Sequence, residues 1–169
     1  PVLISGIVSG FIWKIMYNYN FGAVNTIFRS LGMGEYCQDW LGNPKLALIM
    51  VGVVLVWKGA GYYMIIYLAS LQSVPTDVVE AAAIDGASPL QRFKAITLPL
   101  ISGAFTINLT LSLINGLKVF DQISVMTDGG PGFTTETIVY LLYKVGFNEG
   151  RQGFGTAVGI VLLFIILIL

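Results

Sequence analysis

The chain has 169 residues, of which 56% are hydrophobic and only 11% are charged. Soluble domains carry about 25% charged residues, so this composition predicts an integral membrane protein. A formal net charge of zero argues against a nucleic-acid partner, and the absence of histidine removes the commonest general base and metal ligand. Cys37 is the only cysteine, which excludes an intrachain disulfide and a thiolate metal cluster.

The apolar stretches at the two ends are shorter than a membrane span. Residues 1–13 are apolar and end close to Lys14 and Tyr17, residue types typical of a membrane interface. A full span needs about 20 apolar residues, so we expect this one to begin before Pro1. Residues 154–169 begin a last span and stop inside it. We therefore expect the sequence to be a fragment of a longer chain, truncated at both ends.

A polar connection over residues 17–45 follows the first apolar stretch. Its asparagine, glycine, aspartate and proline residues are the types that form turns. We expect most of this connection to be a solvated loop, with a short helix over residues 24–31.

Residues 46–71 are the best candidate for a membrane span, because they are apolar over a length sufficient to cross with some tilt. Their one charge, Lys58, lies near the middle and is followed by Gly59-Ala60-Gly61. A lysine at that depth is costly and by default indicates function, such as contact with a polar solute. Two structural interpretations remain open. Either the glycines break the helix and leave Lys58 in a polar cavity, or Lys58 extends beside Trp57 toward the interface.

A polar island over residues 71–100 carries the clearest helix signals. Pro75 suits a first helical position, residues 81–83 are helix-favouring alanines, and Gly86 can take the left-handed conformation that ends a helix. Two short helices with a sharp bend at Gly86 are therefore predicted. Such a surface suits docking into a groove of a partner protein, although an interhelical loop without a partner fits the same residues.

The second helix of the polar island is predicted to start at Ser88. Ser88 and Gln91 have the spacing of a capping box, and the intervening proline suits the first turn. We expect this helix to run through Arg92 and Lys94 until Pro99 interrupts it or sets up the next one.

Three short motifs in the island carry a family resemblance. Glu80-Ala81-Ala82, Asp85-Gly86-Ala87 and Ile96-Thr97-Leu98-Pro99 resemble the EAA loop of binding-protein-dependent ABC importer permeases. The resemblance implies a cytoplasmic coupling loop over about residues 72–99 that sits in a cleft of an ATP-hydrolysing subunit. The implied coupling residues are Glu80, Ala81, Ala82, Asp85, Gly86 and Pro99.

Residues 100–117 form a second candidate span with polar positions inside it. Asn108 and Asn115 are seven residues apart, so they fall on nearly one face of a helix. Amide side chains facing lipid would stay unpaired, so we expect them to face protein or a cavity. They either hydrogen-bond to a neighbouring helix or, together with Lys58, line a pathway for a solute rich in hydroxyl groups.

A second motif over residues 120–131 reads FDQISVMTDGGP, and its Gly-Gly-Pro breaks any helix. It resembles the FD-x-I-x-x-(M/L)-T-x-GGP segment of carbohydrate permeases. Such systems have two permeases, and the resemblance is more precisely to the segment of the first one. We expect an amphipathic helix over residues 137–147 after it, and then a polar interval over residues 146–155. The residues that carry the resemblance are Phe120, Asp121, Thr127, Gly129, Gly130 and Pro131.

The resemblance implies an all-α, polytopic transmembrane helix bundle of the ABC type I importer permease fold. Residues 1–169 would be part of one permease domain in the cytoplasmic (inner) membrane of a prokaryote, with the Gly-Gly-Pro segment outside. The implied partners are a second permease subunit, two ATPase subunits, an extracytoplasmic solute-binding protein and membrane lipid. ATP would bind to the ATPase subunits, and this chain would hold no cofactor, no metal and no catalytic residue.

Other functions remain alternatives to a sugar importer. A non-transporting structural or assembly subunit, and an ABC permease for another small polar solute, both fit the composition. A membrane-embedded enzyme is disfavoured, because the chain has no histidine, no thiol pair and no paired carboxylates within a span. Gly129-Gly130-Pro131-Gly132 also lacks the lysine of a phosphate-binding P-loop, so we do not expect this chain to bind ATP itself.

Overall fold

The computed structural model describes residues 1–169, and they form helices and connecting turns without a β-strand. Two π-helical stretches, Phe93–Thr97 and Lys144–Asn148, and one short 3-10 turn, Gly34–Tyr36, interrupt or join the α-helices. The α-helices in chain order are α1 (Gly6–Met16), α2 (Ala23–Ser30), α3 (Ala47–Gln72), α4 (Thr76–Ile84), α5 (Pro89–Arg92), α6 (Leu98–Leu100), α7 (Ser102–Leu117), α8 (Asp121–Met126), α9 (Ile138–Tyr143) and α10 (Gln152–Ile168).

The chain divides into two compact units. The first comprises residues 1–59 and 114–169, and the second comprises residues 60–113. Helix α3 begins in the first unit and ends in the second, and α7 runs from the second into the first. The assignment of the whole chain to one permease domain stays a prediction.

Helix α3 is 26 residues long and is the one helix long and apolar enough to cross a membrane by itself. It runs unbroken through Gly59-Ala60-Gly61, so the interpretation in which these glycines break the helix is wrong. A glycine costs a helix only about 1 kcal/mol. Within a membrane no water would satisfy the backbone groups that a break would free, so the helix continues.

The second predicted span begins after a bend. The helical stretch from Pro89 to Leu100 and the following α7 meet at an angle of 61°. Only when the two are taken together are they long and apolar enough to cross a membrane, as one broken span. Helices α1 and α10 are shorter apolar helices. Of the two alternatives for Pro99, the structure has the second: Pro99 lies in the first turn of α6 and does not stop the helical stretch. In the wider π turn before it, Leu98 N–H donates to the Phe93 carbonyl, and such a turn makes room for a proline ring that would otherwise crowd the preceding carbonyl.

The core of the first unit joins distant parts of the sequence. Its buried hydrophobic side chains come from the end of α1, from the polar connection, from the start of α3 and from the region of α8 and α9. They are Tyr17, Trp40, Val51, Val54, Ile123, Met126 and Tyr140.

Most of the polar connection over residues 17–45 is exposed, as expected of a solvated connection, but Tyr17, Gly22, Asn25 and Trp40 are buried and hold the segment against this core. Asn25 is fully buried, and its Nδ2 donates to the carbonyls of Tyr19 at 3.2 Å and Gln38 at 3.0 Å. Its Oδ1 accepts from Trp40 Nε1 at 2.9 Å. Because one amide satisfies three partners, the segment can fold inward without stranding polar groups. The predicted short helix in this segment is confirmed as α2.

Candidate functional site

The bend at Gly86 is held by a complete helix C-terminal motif. Gly86 has φ +82°, and its N–H donates to the Ala83 carbonyl at 3.1 Å. The next N–H, of Ala87, reaches back to the Ala82 carbonyl at 2.9 Å. This pair of bonds is the Schellman arrangement, which satisfies the last carbonyls of α4. The predicted bend therefore has a defined geometry.

The next helix starts two residues later with a capping box. Gln91 N–H donates to Ser88 Oγ at 3.4 Å, and Ser88 N–H donates to Gln91 Oε1 at 2.7 Å. Both directions of the predicted box are present. One detail differs at the start of α4, where Pro75 is the capping residue before the helix and Thr76 is the first helical residue. With Schellman motif and capping box so close together, the angle between α4 and α5 is fixed by local bonds alone.

The surface of this loop is open to a partner. Glu80, Ala81 and Asp85 are exposed, Ala82 is half-buried, and Glu80 forms no ion pair within the chain. Large apolar side chains also point outward here, with Ile84 exposed by 87% and Leu90 by 62%. Small and apolar side chains around the carboxylates of Glu80 and Asp85, neither of which forms an ion pair, suit close docking against another protein.

The three candidate pathway residues lie in different settings. Asn108 is buried, and its Nδ2 donates to the Tyr63 carbonyl of α3 at 3.3 Å, while its Oδ1 is buried without a partner. The nitrogen thus makes the interhelical bond that the sequence left as one alternative. Asn115 is exposed, and Lys58 is half-buried without an ion pair. The assignment of these residues to a solute pathway stays a prediction.

The side chains of the Gly-Gly-Pro motif contact their own chain. Phe120 stacks on Tyr140 with a centroid distance of 6.2 Å and meets Tyr143 edge-on at 5.0 Å. Asp121 opens α8 and packs directly against Gly6 of α1, where any larger residue would overlap it. Lys14 of α1 donates to the Val125 carbonyl near the other end of α8 at 2.8 Å. The beginning of the motif therefore fixes α8 on α1.

The loop that follows α8 is held by a hydroxyl network. Thr135 is buried, donates to the Gly130 carbonyl at 2.7 Å and lies 2.8 Å from the Thr127 hydroxyl. Gly129 has φ +78°, and a Cβ there would come within 2.7 Å of the Tyr140 ring. The Gly130–Pro131 peptide bond is cis.

Tyr140 fastens the loop from the α9 side. Its hydroxyl donates to Asp128 Oδ1 at 2.7 Å. Burial, and then the Asp128 carboxylate, raise the pKa of Tyr140 to about 12. The hydroxyl consequently remains a donor at neutral pH, as the bond to a carboxylate requires.

The tip of the loop carries an exposed aromatic ring. Phe133 has φ +66° and is 69% exposed. Lys144 Nζ lies 4.5 Å from the centre of its ring and forms an ion pair with Glu136 at 3.2 Å.

All 169 residues match the family model described as the binding-protein-dependent transport system inner membrane component. The chain belongs to this family. The family match confirms the resemblance that the EAA loop and the Gly-Gly-Pro motif carried, and it identifies the protein as a transport component rather than an enzyme.

Relatives of this permease include carbohydrate transport proteins. The chain is 40% identical over 99% of its length to the trehalose/maltose transport system permease protein MalF of Thermococcus litoralis, of which it covers 56%. It is 36% identical over its full length to the probable starch degradation products transport system permease protein AmyD of Thermoanaerobacterium thermosulfurigenes, again covering 56%. The chain thus spans little more than half the length of these relatives.

Solved structures share the fold of the permease. A bacterial ABC transporter involved in the import of the acidic polysaccharide alginate matches over 99% of this chain and 60% of the other, with TM-score 0.86 and 28% identity. A second match, with the same TM-score, is the alginate transporter in complex with an alginate pentasaccharide-bound periplasmic protein. The predicted fold class, a helical bundle of the ABC importer permease type, is confirmed.

Sequence reasoning missed several residues that shape this permease. Asn25, Tyr140 and Phe133 were not singled out, and each owes its setting to tertiary structure. Asn25 meets Trp40, fifteen positions away, and Tyr140 meets Asp128, twelve positions away. No periodicity or motif encodes such pairs, whereas the bonds around Gly86 and Ser88 join residues at most five apart and are readable from the sequence.

Proposed function

We propose that the full-length protein is the membrane-spanning permease subunit of an ATP-driven ABC importer for a sugar or a related solute. The observation that carries this proposal is the 40% identity, over 99% of the chain, with a trehalose/maltose permease. A similar identity to a starch-product permease supports the same solute class. The protein would lie in the cytoplasmic membrane of a prokaryote and cross it several times.

The loop around Gly86 would transmit the work of ATP hydrolysis. Two ATPase subunits would bind and hydrolyse ATP, and one of them would receive α4 in a cleft. Glu80 would make a charged contact there, and Ala81 and Ala82 would allow close approach. Because the Schellman motif and the capping box fix the angle between α4 and α5, a push on α4 would move the following helices instead of being absorbed by the bend.

A second permease subunit and an external solute-binding protein would complete the importer. Polar side chains such as Lys58, Asn108 and Asn115 would meet the solute along the pathway, since amides match the hydroxyl groups of a sugar. The buried, unpartnered Oδ1 of Asn108 supports a contact with a hydroxyl donor.

A cysteine at Ala82 tests the coupling role. In the full-length protein with Cys37 replaced by serine, we expect Ala82→Cys to crosslink to an ATPase subunit in membranes, with a yield that changes when ATP is added. A cysteine at Ser73, outside α4, is the matched control. Absence of any crosslink from a folded, membrane-inserted protein would favour a structural or assembly subunit without transport.

A second solute class is favoured by one relative. The chain is 36% identical over 98% of its length to the osmoprotective compounds uptake permease protein GgtC of a Synechocystis strain. Uptake of labelled maltose, trehalose and glycine betaine by proteoliposomes that contain the complete importer separates the two. Uptake of glycine betaine without either sugar would assign the permease to another small polar solute.

A further inference from the structure

Phe133 is strained and exposed, and its contacts within the fold are few: Lys144 Nζ lies over its ring, and Glu136 N–H donates to its carbonyl. A bulky side chain at φ +66° is an outlier, because in the left-handed region the Cβ of an L-residue comes too close to the following carbonyl oxygen. Burial does not offset this strain, since the side chain is 69% exposed. Glycine would fit the position better, as it does at the preceding residue, Gly132, with φ +57°. A strained residue whose side chain is mostly exposed, and whose ring has only one cation contact within the fold, indicates a functional role.

The loop presents the Phe133 ring in a fixed orientation. On one side, Thr134 Oγ1 donates to the Pro131 carbonyl at 2.8 Å, and the buried Thr135 ties the loop to Gly130. On the other side, Lys144 lies over one face of the ring and is itself held by Glu136. One face of the ring is therefore covered by a cation, and most of the rest of the side chain is accessible. Such a preorganised aromatic side chain loses little conformational freedom when it binds.

A protein partner fits this ring better than lipid does. Irregular backbone such as residues 127–137 is not exposed to the hydrocarbon core of a membrane, so the loop faces water or protein. The family resemblance implies an external position for the loop, and a related alginate transporter has been crystallised with its periplasmic protein bound. A single preorganised aromatic anchor commonly carries a large share of the energy of such an interface.

We propose that Phe133 is an anchor onto which the external solute-binding protein docks. This inference rests on the proposed function, because it requires an importer that is supplied by a binding protein. The Phe133 ring would insert into a pocket on the binding protein, and the Glu136–Lys144 pair would form part of the polar rim.

The test uses the complete importer with full-length permease in nanodiscs. The ATPase rate is measured against the concentration of the importer's binding protein, saturated with a sugar that supports uptake. For Phe133→Gly we expect the half-maximal concentration to rise about tenfold while the maximal rate is kept. Glycine removes the ring and relieves the strain, so folding and thermal stability are retained or improved. Phe133→Tyr keeps the ring and should restore the wild-type concentration dependence.

Phe147→Ala is the matched control. Phe147 is another exposed aromatic residue, at 74%, but it lies in the π-helical stretch after α9 and not on the strained loop. Its loss should change the half-maximal concentration by less than about twofold. An unchanged half-maximal concentration in Phe133→Gly overturns the docking role. So does a fall in maximal rate alone, which would place Phe133 against the solute or the second permease. If the wild-type importer takes up no solute, the proposed function is overturned, and the docking role, which requires an importer, is overturned with it.

Discussion

At the scale of single residues, Gly86 is required for its backbone and not for space. Nothing lies within 4 Å of the position that a Cβ would occupy there. The requirement comes from φ +82°, which closes the Schellman motif between α4 and the capping box. This role was predictable because all its partners are local in sequence.

Replacing Gly86 by aspartate should therefore stop transport without removing the protein from the membrane. The left-handed strain and a new carboxylate would change the angle between α4 and α5. We expect sugar uptake by proteoliposomes to fall to background while the amount of inserted permease stays at the wild-type level. Gly150→Asp is the matched control, because Gly150 also has an open position and φ +70° but lies outside the coupling loop. Unimpaired uptake by Gly86→Asp would contradict the lever mechanism.

Asn25 supports the fold through a network that sequence could not show. Its removal in Asn25→Ala would leave Trp40 Nε1 without its acceptor and the Gln38 carbonyl without its donor, whereas the Tyr19 carbonyl keeps its bond from Arg29. Each stranded group costs about 1–3 kcal/mol, so we expect a loss of roughly 2 kcal/mol or more in the free energy of unfolding. Thermal unfolding of the purified permease measures it. Asn20→Ala, at an exposed position, should leave the transition in place, and equal behaviour of the two variants would disprove the role.

At the scale of elements, the hairpin of α9 and α10 depends on a close backbone crossing. A Cβ on Gly155 would come within 2.9 Å of Gly146 Cα, so two backbones meet where two glycines face each other. Sequence reasoning predicted a helix before the polar interval and a span after it, and both are present as α9 and α10. The crossing itself was not predicted, because periodicity describes one helix at a time.

Gly155→Leu should separate these helices. Neither backbone can move aside in the way a flexible side chain can, and overpacking of this kind costs about 1–3 kcal/mol. We expect a lower midpoint of thermal unfolding in detergent. Gly153→Leu is the control on the same helix, since nothing lies within 4 Å of a Cβ at that position. If both variants unfold at the wild-type temperature, the crossing does not contribute to stability.

At the scale of the whole molecule, the helical bundle was predictable and its broken spans were not. Composition and the long apolar run of α3 indicate a membrane protein, and the permease-type bundle is implied by the resemblance of the EAA loop and the Gly-Gly-Pro motif. The bend before α7 and the folded connection over residues 17–45 depend on tertiary contacts and on a π turn before Pro99. The bend lies at the start of a stretch that the hydropathy pattern indicated as one simple span, and buried residues fix a connection that it indicated as a solvated loop.

The orientation of α3 gives a prediction for the whole molecule. Its 26 residues extend about 39 Å, which exceeds a hydrocarbon core of about 30 Å, so its two ends should lie on opposite sides of the membrane. With Cys37 replaced by serine, we expect Lys45→Cys to react with an impermeant maleimide in intact cells. Ser73→Cys should react only after the membrane is permeabilised. Labelling of both positions in intact cells would rule out this topology.

The side chains of the Gly-Gly-Pro motif point inward, and this bears on which residues can indicate the transported solute. Phe120 contacts Tyr140 and Tyr143, Thr127 contacts Thr135, and Gly129 lies against Tyr140. A sequence motif whose side chains contact their own chain indicates the fold of a permease and not the solute that the permease carries. Permeases of this type can therefore diverge in what they carry while the motif stays intact. Two proteins that share it need not share a nutrient, and assignments of cargo are better based on residues that line the pathway.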